Sequence, residues 1–394
     1  MNNFEYYAPT KVIFGKDREN EIGSILKDLN YKNILVHFGG ESAKKSGLLD
    51  RVCNSLKKEN ISFQLLGGVV PNPRLSKVYE GIELCKQNNI DFILAVGGGS
   101  VIDSSKAIAY GSVIDEDVWD IYLQKIVPTK SLPIGCILTI SAAGSEMSNS
   151  SVITNEEGSL KRGYNNEISR PLFAILNPDL CATLPMYQTQ SGIVDIIMHT
   201  LERYFSPKRE NTELTDYIAE GLMKTVIKNA YILLKAPSNY NALAEVMWAG
   251  SLSHNGLTSA GSGSVTGDWA CHQMEHELSG MFDVAHGAGL SALWGTWANY
   301  VYRDNPKRFA QFAQNVMNIP FTTETETAEK GIEALVQFFK DIGMPTKISD
   351  FGIDLTEEQI EELAMKCSFN ETRTVGNFRV LQKEDMATIY RLAR

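Results

Sequence analysis

Close cysteine pairs are missing from this chain. Its six cysteines, Cys53, Cys85, Cys136, Cys181, Cys271 and Cys367, are scattered without a CxxC spacing. That excludes a zinc-finger pattern and reads as reduced thiols of a cytoplasmic protein. Dense Lys/Arg runs are also missing and the formal net charge is -10, so no nucleic-acid partner is expected. No apolar run is long enough to span a bilayer, so no membrane partner is expected. The first residues, MNNFEYYAPTKVIFG, have neither a basic start nor an apolar core, so no signal peptide is expected there. Internal repeats, the GxxxxGK[ST] phosphate loop and HExxH are absent, which disfavours nucleotide hydrolysis and one common zinc-protease site.

What is present is an ordinary globular balance, 43% apolar and 21% charged, over 394 residues. That length suggests two domains, each able to bury a core. The first part alternates strand and helix signals. KVIFG, NILVHFGG, ISFQLLGGV and DFILAVGGGS read as strands. Leu48 to Asn60, VYEGIELCKQNN and VIDSSKAIAY read as helices. Such alternation argues a parallel sheet covered on both faces. Past Pro178 to Pro185 the strand signals nearly vanish. Helical patterns follow at Gln188 to Tyr204, Thr212 to Leu234, Ala242 to Gly256, Trp269 to Leu278 and Leu290 to Tyr300, then at Thr327 to Ile342, Thr356 to Cys367 and Lys383 to Ala393. The expectation is an α/β dinucleotide-binding domain over 1–185 and an all-α metal-binding domain over 186–394.

Gly97, Gly98, Gly99 and Ser100 end a strand and open a helix. Glycines there let phosphates approach the backbone, and a helix N-terminus favours an anion. Asp103, in the first helical turn, is placed to meet a ribose, a nicotinamide or substrate, or simply to stabilise the helix start. Gly39, Gly40 and Ser42 follow another strand, where an adenosine ribose would lie. Ser42, Lys44 and Lys45 favour a 2′-phosphate there, whereas Glu41 favours a free ribose.

Five of the six histidines fall between Asp195 and His286. Asp195 and His199 are four apart, as are His272 and His276, and His286 follows. Residues four apart share a helix face. Two such pairs and one more imidazole can converge on a divalent first-row metal such as iron or zinc. A single apolar-face histidine is ordinarily a packed one, and His254, with no partner at helical spacing, reads that way. Asp195 argues otherwise, because a carboxylate among Ile193, Val194, Ile196, Ile197 and Met198 costs several kcal/mol unless paired or metal-bound. Trp269, Phe282 and Trp294 line an apolar pocket or fill the core.

GVVPNP (68–73), AVGGGSVIDSSKAIA (95–109), ILTISAAGSEMSNSSVIT (137–154), NPDLCATLP (177–185), GIVDIIMHTLERYF (192–205) and the HxxxH…HG stretch, in that order, resemble the iron-dependent (group III) alcohol dehydrogenases. The resemblance covers essentially the whole chain and is nearest the NADPH-dependent butanol dehydrogenase and aldehyde reductase branch. It implies a Rossmann-like domain followed by a helical one, in a dehydroquinate synthase-like architecture. It implies Asp195, His199, His272 and His286 as metal ligands, with His276 off the metal on the proton path. It implies cofactor contacts from Asn72, Gly98, Gly99, Ser100, Asp103, Thr139, Ser148, Asn149 and Lys161. GGES at 39–42 is similar to the GGGS of the NADPH-preferring branch, with Glu41 for the third glycine. The resemblance also implies a homodimer, through the strand around Lys11 to Gly15.

The expected activity is reduction of an aldehyde such as butyraldehyde, or oxidation of the matching primary alcohol, with NADP(H) or alternatively NAD(H), and Fe2+ or alternatively Zn2+. His276 and Asp103 are the catalytic candidates. The rival readings are a zinc polyol dehydrogenase of glycerol type and a non-catalytic nucleotide- or metal-binding protein on the same fold.

Overall fold

The computed structural model describes residues 1–206, 211–263 and 267–394. Two compact units are present, Ala8–Leu184 and Pro185–Arg394, the latter joined by Met1–Tyr7. The expected α/β domain over 1–185 includes those first seven residues. They group with the helical unit, where the Asn2 amide donates to the Gly261 carbonyl at 3.1 Å.

The α/β unit holds eight strands: β1 (Lys11–Phe14), β2 (Asn33–Phe38), β3 (Ser62–Leu66), β4 (Phe92–Gly97), β5 (Ile134–Leu138), β6 (Ser150–Asn155), β7 (Leu160–Asn165) and β8 (Phe173–Leu176). Six form one parallel sheet in the order β1-β8-β5-β4-β2-β3, and β6 and β7 form a separate antiparallel pair. The alternation of strand residues assigns the faces. Ile34, Val36, Leu94 and Val96 pack with Leu48, Val52 and Leu56 of the helix Leu48–Lys58. Leu35 and Ile93 pack on the other face with Val78, Ile82 and Ile108, from the helices Leu75–Gln87 and Gly99–Gly111. Burial on both faces is why these strands read as continuous apolar runs.

The chain order reverses between β2 and β4, which are direct neighbours, Phe38 lying opposite Val96. The mouth of such a reversal, at the C-terminal strand ends, is where doubly wound folds take their ligands. Gly39 and Gly98 follow directly there.

One polar side chain crosses this core. His37 of β2 is fully buried, with Nδ1 against the Leu66 carbonyl at 2.9 Å and Nε2 against the Ser104 hydroxyl at 2.9 Å. Both contacts suit a neutral ring, with Nδ1–H donating and Nε2 accepting. Burial pushes its pKa down to about 4. The unfolded chain therefore binds a proton near pH 6.5 that the native state refuses until about pH 4. The stability tied to His37 is full above pH 6.5 and is lost as pH falls towards 4, by up to about 3 kcal/mol. Urea titrations at several pH values should show a shallower acid loss for His37→Gln. Equal slopes for the two proteins would contradict this.

The helical unit carries the helices Met186–Tyr204, Glu213–Lys235, Tyr240–Ser253, Ala270–Phe282, His286–Val301, Pro306–Asn315, Glu324–Asp341, Glu357–Cys367 and Lys383–Ala393. Pro306–Asn315, absent from the sequence reading, opens on a proline behind Asn305, whose side chain accepts the Arg308 amide. Arg308 is buried and donates to Asp216 at 2.6 and 2.9 Å and to the Tyr204 carbonyl at 2.8 and 3.0 Å. It ties that helix to two others through a satisfied charge. Among the described residues no helix is long and apolar enough to cross a membrane.

Candidate functional site

Three helices of the helical unit bring their polar residues to one point. Asp195 lies on Met186–Tyr204, His272 on Ala270–Phe282, and His286 opens His286–Val301. The Nε2 atoms of His272 and His286 are each 3.8 Å from Asp195 Oδ1. One ligand atom from each of the three lies within 4.8 Å of the others. Two ligands each ~2.1 Å from one ion can stand at most about 4.2 Å apart, so a separation of 3.8 Å can be bridged. Asp195 Oδ1 and His272 Nε2 are fully buried and have no hydrogen-bond partner among the described residues. Buried polar atoms are rarely left so. One carboxylate oxygen and imidazole nitrogens suit a divalent transition metal, and on this donor chemistry the residues fit one.

The charges in this group act strongly on one another. Burial alone pushes the Asp195 carboxyl up, but the nearby His199 and His286 imidazoles, with His272 beside them, hold it well below its ordinary value. Burial lowers His272, yet the Glu202 carboxylate and Asp195 outweigh it and raise the ring to about 9.

Two carboxylates that sequence reasoning passed over orient these rings. Glu202 Oε1 accepts from His272 Nδ1 at 2.6 Å and from the His272 amide at 3.1 Å. Glu275 Oε2 takes His286 Nδ1, while its Oε1 takes the Ser279 hydroxyl. For Glu202 the spacing gives the place but not the partner: Asp195, His199 and Glu202 follow i, i+4, i+7 on one helix face.

His199 sits beside this group without being one of the three whose ligand atoms mutually lie within 4.8 Å. Its Nδ1 faces the Asp195 carbonyl at 3.0 Å and Asp195 Oδ1 at 3.1 Å, and burial lowers its pKa to about 4. Its ring packs on His254, centroids 4.1 Å apart, and on His272, 4.5 Å apart. His254, read from sequence as a packed histidine, thus touches the cluster. His276 is buried, its ring 5.7 Å from that of His286, and it forms a second close group with Glu275 and His286. Trp269 borders the cluster, 5.2 Å from the His272 ring. Trp294 is fully buried against Phe312 and Phe339 and belongs to the core.

Close helix contact fixes the spacing. A Cβ on Gly287 would lie 1.9 Å from the Ser191 carbonyl oxygen, one turn before Asp195. No rotamer relieves a clash with backbone, so Gly287→Ala must push the His286 helix away from the Asp195 helix, at about 1–3 kcal/mol. The expected result is a lower thermal midpoint and at least about tenfold weaker metal binding. Metal titration unchanged from wild type would refute it.

In the α/β unit, Gly39, Gly40, Ser42, Gly97, Gly98, Gly99, Ser100 and Thr139 gather at the C-terminal strand ends, the Thr139 amide donating to the Gly97 carbonyl at 3.0 Å. A Cβ would meet Val101 at 2.4 Å on Gly97, Ile140 at 3.1 Å on Gly98 and Ala143 at 3.1 Å on Gly99, and would meet nothing within 4 Å on Gly40. Bare backbone at the start of a 13-residue helix is a cradle that fits a pyrophosphate. Glu41 is exposed and pairs with Lys44 at 3.1 Å.

The other expected cofactor residues are Asp103 on the helix Gly99–Gly111, Asn72 in the loop before Leu75–Gln87, Ser148 and Asn149 just before β6, and Lys161 on β7. Asp103 has both oxygens engaged, accepting from the Ser145 hydroxyl and from the Val152 amide at 2.9 Å. Ser148 is buried, its hydroxyl 3.3 Å from Lys106 Nζ, and Asn149 donates to Glu167 at 2.6 Å. Lys161 is buried on β7 opposite Thr154, whose amide donates to the Pro73 carbonyl at 2.8 Å next to the buried Asn72. Lys106, unremarked in the sequence, is fully buried and donates to the carbonyls of Ser145 (2.8 Å), Ser148 (3.0 Å) and Ser150 (2.7 Å). Burial lowers it to about 8.

Comparison with known proteins agrees with both halves. Residues 9–178 match the family described as iron-containing alcohol dehydrogenase, and residues 189–394 match the C-terminal region of the Fe-containing alcohol dehydrogenase family. NADH-dependent butanol dehydrogenase A of Clostridium acetobutylicum is 40% identical over 393 residues, 99% of each chain. The NADPH-dependent aldehyde reductase YqhD of Escherichia coli is 34% identical over the full length of both. The crystal structure of NADH-dependent butanol dehydrogenase A from Thermotoga maritima superposes with a TM-score of 0.95 at 39% identity, covering 100% of this chain and 99% of that one.

Proposed function

Since the chain belongs to the iron-containing alcohol dehydrogenase family and is an alcohol–aldehyde oxidoreductase, we propose that it reduces short aliphatic aldehydes such as butyraldehyde to primary alcohols with NADP(H). In this reading Asp195, His199, His272 and His286 hold a divalent metal, Fe2+ before Zn2+, in a cytoplasmic homodimer. The observation that carries it is the pair of buried atoms without a hydrogen bond, Asp195 Oδ1 and His272 Nε2, 3.8 Å apart. His199 supports the set because its Nδ1 is occupied by the Asp195 carbonyl, which leaves Nε2 as a lone-pair donor. When bound, the ion supplies Lewis acidity towards a carbonyl oxygen and the nicotinamide supplies a hydride. The chain's own part is to bind, orient and deliver a proton. His276, buried next to His286, is the proton carrier towards the product hydroxyl. Gly98, Gly99 and Ser100 take the pyrophosphate. Gly39, Gly40 and Ser42 take the adenosine ribose. Asp103 acts through the segment it holds, Ser145 to Val152.

The choice of NADP(H) rests on Ser42, Lys44 and Lys45 beyond Gly40, with Glu41 turned to Lys44. NAD(H) is favoured by the same Glu41 if its carboxylate takes the ribose hydroxyls. Initial rates of butyraldehyde reduction with NADPH and with NADH test the reading. Faster turnover with NADPH supports it. Turnover with NADH alone assigns the ribose site to Glu41. No turnover with either, at full metal occupancy, contradicts the proposed activity.

A further inference from the structure

Two buried carboxylates that bond the ligand imidazoles are left unexplained by the metal reading. Glu202 and Glu275 are 1% and 0% exposed, and neither belongs to the proposed ligand set. A carboxylate taken out of water is destabilising unless its partners offset the loss of hydration. Each of these has spent one oxygen on the Nδ1 of an imidazole, Glu202 on His272 and Glu275 on His286. In both rings the opposite nitrogen, Nε2, stands 3.8 Å from the same atom, Asp195 Oδ1.

The arrangement crosses helices in sequence. Glu202, on Met186–Tyr204, holds the ring of His272 on Ala270–Phe282. Glu275, on that second helix, holds the ring of His286 on His286–Val301. Each helix thus aims the side chain of the next one along. Secondary anchors stiffen the carboxylates: Glu202 Oε1 also takes the His272 amide at 3.1 Å, and Glu275 Oε1 takes the Ser279 hydroxyl. The close approach of Gly289, where a Cβ would stand 2.8 Å from Glu275 Cγ, leaves Glu275 little room to turn away.

We infer that Glu202 and Glu275 are positioning residues for the metal, which fix the Nδ1–H tautomer of His272 and His286 and interlock three helices around one ion. This rests on the metal reading proposed above. An imidazole donating Nδ1–H to a carboxylate presents its Nε2 lone pair in a set direction and is a stronger base there. Without the carboxylate the ring can turn or take the other tautomer, and the nitrogen facing Asp195 then carries a proton.

Cobalt(II) is the probe, titrated into metal-free full-length protein and followed by visible absorption and by the rise in thermal midpoint on loading. Glu202→Gln and Glu275→Gln keep the shape, the amide oxygen still accepting from Nδ1, and lose the charge. Each is expected to bind Co2+ about 10- to 100-fold more weakly than wild type, with a smaller rise in midpoint. Glu202→Leu removes the acceptor as well and should bind more weakly than Glu202→Gln. If Glu202→Leu does not fold, the two near-isosteric variants carry the test. A purely structural role gives a different result: midpoints of metal-free and loaded protein fall together and Co2+ affinity is unchanged. That result overturns the inference. If wild-type protein shows no Co2+ spectrum that Asp195→Ala abolishes, the metal reading fails with it.

Discussion

Asp195→Ala will lose bound metal and turnover together. Asp195 supplies the only carboxylate oxygen of the proposed ligand set, and that oxygen is the point on which His272 Nε2 and His286 Nε2 converge. Removing it leaves only neutral imidazoles in the ligand set, with no negatively charged ligand for a divalent ion. Lewis-acid stabilisation of a developing alkoxide amounts to several kcal/mol, and each 1.36 kcal/mol is a factor of ten in rate. A fall in kcat/KM of about 10^3-fold or more is therefore expected, with metal content near zero by mass spectrometry. The far-UV circular dichroism should be unchanged, because a helix accepts Ala at least as readily as Asp. An Asp195→Ala protein with full metal and wild-type turnover would exclude Asp195 as a ligand.

Lys106→Met has the largest expected effect away from the metal. The ammonium is fully buried and its three donors meet the carbonyls of Ser145, Ser148 and Ser150. Methionine fills most of the volume but leaves those carbonyls facing an apolar chain. Desolvating the ammonium is costly, so the net effect is smaller than three lost charge-assisted bonds. Each buried carbonyl left without a donor typically costs about 1–3 kcal/mol. The segment it holds bears on function, because Ala143 just before it packs against Gly99 of the glycine turn. The expected result is a large drop in the urea midpoint together with weaker dinucleotide binding, read by nucleotide fluorescence. An unchanged midpoint and an unchanged dissociation constant would show that the segment holds its shape without Lys106.

Much of this architecture is legible in the residues. β2 and β4 are continuous apolar runs ending in glycines, and burial on both faces makes them so. Asp195 and His199, and His272 and His276, stand at helical spacing, and the polar breaks in apolar helices mark them. The β6–β7 pair was not legible as structure. SSVITN and LKRGYN alternate weakly because much of that hairpin is half-exposed. Pro306–Asn315 was passed over although Asn305 and Pro306 are a helix start. Lys106 and Glu202 could not be assigned roles, since their partners lie 39 and 70 residues away and only the folded chain brings them together.

The most direct test is metal content and butyraldehyde reduction measured on one anaerobically purified sample, before chelation, after it, and after return of Fe2+ or Zn2+. Activity that vanishes with the metal and returns in proportion to Fe2+ bound, about one ion per chain, is the expected result. Full turnover in demonstrably metal-free protein would contradict a metal-dependent reductase built on Asp195, His272 and His286.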